Sequence, residues 1–246
     1  MSDSTSQGVG QETIKTGRYL WIVLPLLTGV AVAQAFMRQG FPVLYPFIQN
    51  EFGLSLAQVG LITSALAIGS MATAILAGWL TDTFGVKRII TISLLSLTVF
   101  TLAFPLAYSF SIVLALTIFI SIVASPTRPA TTLAIIDWFP ARILALAMSI
   151  KGMGIPIAGA LTAAVLPTLA FSIGWRMAAA VTGLLVLAIT VMFISLYRDA
   201  PRGVQPVHKF NLATVKTILR NRGLVTTIFW GAMFLGFQYI VLSYFM

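Results

Sequence analysis

The sequence predicts an all-α integral membrane protein, and three observations lead there. First, 59% of the 246 residues are apolar and only 9% are charged, whereas a soluble domain carries roughly a quarter charged residues. So few charges cannot cover a water-facing surface. Second, the apolar residues fall into seven runs, each near the ~20 residues a helix needs to cross hydrocarbon. A spanning run must satisfy its own backbone hydrogen bonds, which makes each one a helix. Third, most Lys and Arg residues stand in the gaps between runs. There the net charge of +9 reads as membrane topology and not as a nucleic-acid surface. The absence of cysteine excludes disulfides and thiolate chemistry, and one histidine, His208, is too few for a multi-ligand metal site.

Residues 1–18 are polar, lack the apolar core of a signal peptide, and are expected to form a flexible cytoplasmic tail. Six spans follow at residues 19–44, 56–80, 88–108, 111–136, 143–171 and 175–196, giving a bundle over residues 19–197. Their short gaps suit antiparallel neighbours. Residues 198–223 form a longer linker holding Arg198, Arg202, Lys209, Lys216, Arg220 and Arg222, with Pro201 and Pro206 in its first part. Within it, residues 210–219 put Leu212, Val215, Ile218 and Leu219 on one face, as in a helix lying on the membrane surface. A seventh span covers residues 224–246. Lys15, Arg18, Lys87, Arg88, Arg142 and the linker fall on one side, and Arg176 is the lone basic exception on the other. The positive-inside rule then places the N-terminus and the linker in the cytoplasm of a multi-pass protein of the plasma (inner) membrane.

Among the gaps, Gly78, Leu80, Asp82, Gly85, Lys87 and Arg88 form the pattern Gly-x-Leu-x-Asp-x-x-Gly-x-Lys-Arg. Gly78 suits close helix packing and Gly85 a positive φ. By itself the stretch is also consistent with a plain cytoplasmic turn. Its spacing, after the second span, resembles the loop between helices two and three of the major facilitator superfamily of secondary transporters. Asp137-Trp138-Phe139-Pro140-Ala141-Arg142 and Gly174-Trp175-Arg176 are similar to turns of the anion:cation symporter branch. The resemblance implies the major facilitator fold, two six-helix halves joined by a long cytoplasmic loop. This chain would hold the six-helix N-terminal bundle plus a seventh helix, a truncated form. It implies that Gly78, Asp82, Gly85, Lys87 and Arg88 gate the cytoplasmic side. Asp82 would meet the start of a helix in the missing C-terminal half, and Asp137 would pair with Arg88. Thr83 stands where the family carries a further basic residue. Gly152, Gly154, Pro156 and Gly159 on the fifth span resemble the family's packing motif, although plain tight packing explains them equally.

Three cations lie inside the spans, Arg38, Arg128 and Lys151, and no Asp or Glu lies deep in any span. Each ionisable group there costs ~2.5–3.5 kcal/mol and is a functional candidate by default. At ~1.5 Å per residue, Arg128 lies ~15 Å and Lys151 ~12 Å from the cytoplasmic interface. Arg38 lies in the outer part of the first span, beside Gln34 and Gln39. Arg38, Arg128, Gln34 and Lys151 are the candidate substrate-binding residues, because a guanidinium fork matches a carboxylate or phosphate. Snorkelling to the headgroups is the competing reading for Arg38 and Lys151. In the resembled family, helices one and four carry anion-binding cations. Arg38 matches the first, while Arg128 is offset from the second, whose position Leu133 occupies.

The residues and the resemblance together imply a secondary active transporter in the lipid bilayer, moving a small organic anion by alternating access. The expected partners are the anionic solute, a co-transported proton or other cation, and the C-terminal half. No bound cofactor, enzymatic role or nucleic-acid partner is expected. An anion exchanger, a facilitator, a drug efflux transporter or a seven-helix receptor or sensor remain the alternatives. Alone, the chain is expected not to transport.

Overall fold

The computed structural model describes residues 4–200 and a subset of residues 223–237. The chain divides into two units, Met1–Gln205 and Pro206–Met246. In the second, the described residues are helical, and Thr227 Oγ1 donates to the Gly223 carbonyl at 2.9 Å. His208, the surface helix expected at residues 210–219 and most of the linker and seventh span lie outside the described residues.

The first unit is helical throughout. Its helices are α1 (Ser4–Phe52), α2 (Leu56–Phe84), α3 (Val86–Ala103), α4 (Phe110–Ala124), α5 (Thr127–Trp138), α6 (Ala141–Ile173) and α7 (Trp175–Leu196), with a 3-10 turn over Phe104–Leu106. Among the described residues, five stretches are long and apolar enough to cross a membrane, or six with the bent α2 taken as one span. The α4–α5 pair counts as one of these. The faces turned away from the bundle are apolar: Trp21, Met71 and Phe171 are each 81% exposed. Such an outer surface is stable against lipid and not against water.

Several boundaries differ from the sequence reading, each for a local reason. Helix α1 begins at Ser4, so the segment expected as a flexible tail continues the first span from that residue on. No proline interrupts residues 4–24, and a helix already nucleated propagates cheaply. At its other end α1 passes the expected stop at residue 44 and runs through Pro42 and Pro46. It ends at Gly53 (φ 61°), where Leu54 N–H donates back to the Gln49 carbonyl at 3.0 Å, a Schellman closure. Helix α2 then starts in a capping box. Ser55 Oγ accepts from Gln58 N–H, and the Gln58 side chain accepts from Ser55 N–H at 2.9 Å.

The central element is α1, which packs most extensively on α6 and also on α7 and α5. The α1–α6 seam is close because small residues line it. A Cβ on Gly154 would meet the Thr28 carbonyl and Val32 Cγ2, both at 3.2 Å. One on Gly159 would strike Gln39 Oε1 at 2.3 Å. With that space open, Gln39 Nε2 donates to the Ile155 carbonyl at 3.2 Å. In lipid, where burial of apolar surface gives little drive, such contact and interhelical hydrogen bonding hold helices together. Gly152 and Pro156 lie on the exposed face of the same helix, so only half of the expected packing motif lies in this seam.

Gly154→Val should therefore weaken the bundle by roughly 1–3 kcal/mol through overpacking. The expected outcome is a lower melting temperature in detergent micelles. Gly152→Val, which meets open space, should melt with the unsubstituted chain.

Candidate functional site

The fourth span is broken. Pro126 and Pro129 lack the N–H groups that would close helical bonds to Ile122 and Ser125, and their rings crowd those carbonyls. The Ile122 carbonyl instead accepts from Ser125 N–H at 3.3 Å, and α5 restarts with Ala130 N–H on the Pro126 carbonyl at 3.2 Å. Two neighbours brace the break. Gln34 Nε2 on α1 donates to the Ala124 carbonyl at 2.7 Å, and Thr73 Oγ1 on α2 lies 2.7 Å from Ser125 Oγ. The side-chain amide of Gln34 thus serves the backbone of this helix break.

Arg128 stands in the first turn of α5 and is exposed. One turn on, Thr131 and Thr132 each direct Oγ1 to the Arg128 carbonyl, at 3.1 and 3.0 Å. Their remaining lone pairs accept from Lys151 Nζ of α6, at 3.2 and 2.8 Å respectively. Lys151 and Arg128 lie within electrostatic reach of one another. Arg128, Pro129, Thr132, Leu133 and Ile136 on α5 face Gly78, Thr81 and Asp82 on α2 across an open groove of about 360 Å³. Asp82 shares this groove with Arg128 without forming an ion pair with it.

Arg38 falls elsewhere. It is half-buried and engaged, one turn beyond Gln34 on α1. Gln34 meets Ala124, which lies one turn before Arg128 on the antiparallel α4–α5 span. Arg38 and Arg128 therefore sit on opposite sides of that contact, two turns or ~12 Å apart along the axis. Of the sequence-picked residues, the structure brings Arg128 and Lys151 together.

The hinge is tighter than its eleven-residue motif suggests. Helix α2 continues to Phe84 and α3 starts at Val86, so Gly85 alone turns the chain, with φ 85° and ψ 158°. Gly78 and Asp82 belong to the last turns of α2, and Lys87 and Arg88 to the first turn of α3. Lys87 N–H is held at 3.0 Å by Asp199 Oδ1, a carboxylate placed at a helix N-terminus. Tyr19 OH donates to the Leu196 carbonyl at 2.6 Å and accepts from Arg198 N–H at 2.7 Å. Tyr19 of α1, the turn into α3 and the end of α7 are thus tied at one end of the bundle. Asp137 is half-buried there and engaged, and the ion pair between Arg176 and Glu51 is a separate one.

That ion pair lies at the opposite end and accounts for the exception in charge topology. The Arg176 guanidinium contacts Glu51, donates to the Pro105 and Ala107 carbonyls at 3.1 Å each, and stacks 4.6 Å from the Trp175 ring. Sequence reading missed this cluster and the contact of Asp199. An acid at the end of the first span and an Arg opening the sixth were the available signals.

Five apolar spans, or six with the bent α2, one of them broken beside two cations, define a multi-pass membrane protein with a polar groove at the break. The chain matches the family model of the Major Facilitator Superfamily over residues 27–246, and it belongs to that superfamily of membrane transporters. It is 30% identical over 191 residues to the probable sulfoacetate transporter SauU of Cupriavidus necator, a match covering 78% of this chain and 44% of that one. It is 24% identical to the hexuronate transporter of Bacillus subtilis (67% and 39% covered). It is 29% identical to the probable galactarate/D-glucarate transporter GarP of Escherichia coli (63% and 37% covered). The chain spans less than half the length of each of these relatives. In fold it is similar to a bacterial homolog of the human lysosomal transporter Spinster in an inward-facing, unoccupied conformation. There the TM-score is 0.68 at 24% identity, covering 79% of this chain and 46% of that one. The peptide transporter PepTSo gives a TM-score of 0.68 at 19% identity, covering 86% and 46%. At these identities the solved structures speak to the fold alone.

The one-residue hinge has a direct consequence. At φ 85° and ψ 158° an L side chain is strained by about 1–3 kcal/mol. Gly85→Ala should therefore speed hydrogen exchange in the amides flanking residue 85. Gly78→Ala, where a Cβ meets nothing within 4 Å, should leave exchange unchanged.

Proposed function

We propose that this chain serves the transport of a small organic anion by alternating access, with Arg128 as the principal anion-binding residue. The observation that carries this reading is the state of Arg128: an exposed guanidinium inside a membrane span, beside a second cation, with no carboxylate paired to it among the described residues. A cation kept in that position at a cost of ~2.5–3.5 kcal/mol has an anionic counterpart to receive. Arg38, two turns away on α1, supplies a second positive station along the same bundle. Three of the curated relatives it matches are named for sulfoacetate, hexuronates and galactarate or D-glucarate, all small organic anions, and this supports the same class here.

The groove from Asp82 to Arg128 joins the hinge to this cation and suits a gate at that end. We place that end, with Lys87, Arg88, Arg142 and Arg198, in the cytoplasm by the positive-inside rule, and the protein in the plasma (inner) membrane. Drawing an anion into a cell with an inside-negative potential costs ~2.3 kcal/mol per charge per 100 mV, so a co-transported cation is required. A proton is our choice. Across residues 19–200 the carboxylates stand at the bundle ends, Glu51 at one and Asp82, Asp137 and Asp199 at the other. The coupling group therefore acts from an end of this bundle or from a segment outside it.

Binding of a sugar acid to the purified chain in lipid nanodiscs tests the reading. Arg128→Ala should lower affinity about 10–100-fold and Arg38→Ala by less, in line with truncating one partner of a charge pair. Affinity unchanged in both variants would sink the anion assignment. Uptake by cells expressing the transporter should fall when a protonophore collapses the proton gradient; uptake indifferent to it would favour an exchanger or facilitator.

A further inference from the structure

We infer that Lys151 is a second anion anchor in the same site as Arg128, and that the site is built for a dianion with one acidic group on each cation. The inference rests on the anion reading of Arg128 given above and names the substrate class of that site.

The geometry around Lys151 carries it. A lysine that snorkels sends its ammonium to the interface. Lys151 instead turns across to α5 and donates to Thr131 and Thr132, at 3.2 and 2.8 Å. Both hydroxyls are aimed by the Arg128 carbonyl, so both present lone pairs to the ammonium. An ammonium has three donors, and two neutral hydroxyls leave one of them open. The two hydroxyls are neutral and do not cancel the ammonium's charge, so an incoming carboxylate or sulfonate adds an attraction of opposite charges that they lack. Thr132 also lines the groove that Arg128 lines, which places the Lys151 ammonium at the edge of the same space.

Charge count then selects the ligand. Among the described residues neither Arg128 nor Lys151 is paired with a carboxylate, and Asp82 reaches the groove without closing on Arg128. A monoanion brings one charge to a site that holds two cations. A ligand with acidic groups at both ends satisfies both cations at once.

Galactarate and D-galacturonate test this, since they share a six-carbon skeleton and differ by one carboxylate. Both are titrated onto the full chain in lipid nanodiscs. The unsubstituted chain should prefer galactarate. Lys151→Gln should lower galactarate affinity about 10–100-fold and leave galacturonate affinity in place, which erases the preference. Lys151→Arg should retain it. Helical circular dichroism and a monodisperse elution profile confirm that each variant is folded. If Arg128→Ala abolishes binding of both anions while Lys151→Gln changes neither, the second anchor is wrong and the anion reading stands. Equal loss of both anions in Lys151→Gln also overturns the dianion assignment. Binding of neither anion by the unsubstituted chain overturns both readings together.

Discussion

Inside a bilayer a backbone group that loses its helical partner has no water to turn to, and this protein meets that constraint at residues 125–127. An unpaired group in hydrocarbon costs several kcal/mol. Pro126 and Pro129 nevertheless break the fourth span at mid-depth, and the remainder of the site follows from how the break is repaired. Gln34 answers the Ala124 carbonyl from α1, and Thr73 reaches Ser125 from α2. These two contacts hold the end of α4 and the break itself to two neighbours, just before the first turn of α5 where Arg128 stands. Gln34, one of the two substrate candidates on α1, is thus occupied in holding the span that bears the cation.

The same residues explain how two like charges share one wall. Thr131 and Thr132 would compete with helix formation if their hydroxyls sought random partners. Bonded to the Arg128 carbonyl, they instead become oriented acceptors for Lys151. Carbonyl, hydroxyl and ammonium form a short chain in which each bond polarises the next. Lys151 is made tolerable in the span by neutral groups, and its charge is not cancelled. Arg128 keeps its fork open towards the groove. A carboxylate from this chain at either position would have made a stable internal pair and removed the electrostatic attraction for any ligand.

How much of this could be read from the sequence depends on the distance over which each feature is decided. Features settled within a few residues were legible: six spans in the first unit, the turn at Gly85, the start of α7 at Trp175, and the three intramembrane cations. Features settled by register between distant helices were not. Whether Arg38 or Lys151 shares a level with Arg128 depends on how α1 and α6 slide against α5, and no local pattern encodes that. Pro126 and Pro129 did signal the break, but the apolar residues on both sides of it make residues 111–136 long enough to read as one span. The end of α1 was misread because the apolar run, and not the helix, stops near residue 44. In a long helix already committed, a lost N–H near the end is tolerated, and Gly53 supplies the closure.

The cluster around Arg176 shows why magnitude matters in judging a conspicuous contact. The Arg176 and Glu51 side chains are each 39% exposed, and ion pairs of that kind are worth roughly 0–1 kcal/mol. The pair is therefore not what holds this end together. Arg176 also binds the Pro105 and Ala107 carbonyls, which follow α3, and it lies over Trp175 and near Phe52. Trp175 in turn donates from its indole to Glu51. One guanidinium thus sets the register of the end of α1, the turn after α3 and the start of α7. A lysine would keep the charge and lose the planar five-donor fork that makes these contacts simultaneous. The basic residue that breaks the charge topology is on that side because three helix ends need a common donor there, and its charge is incidental to that task.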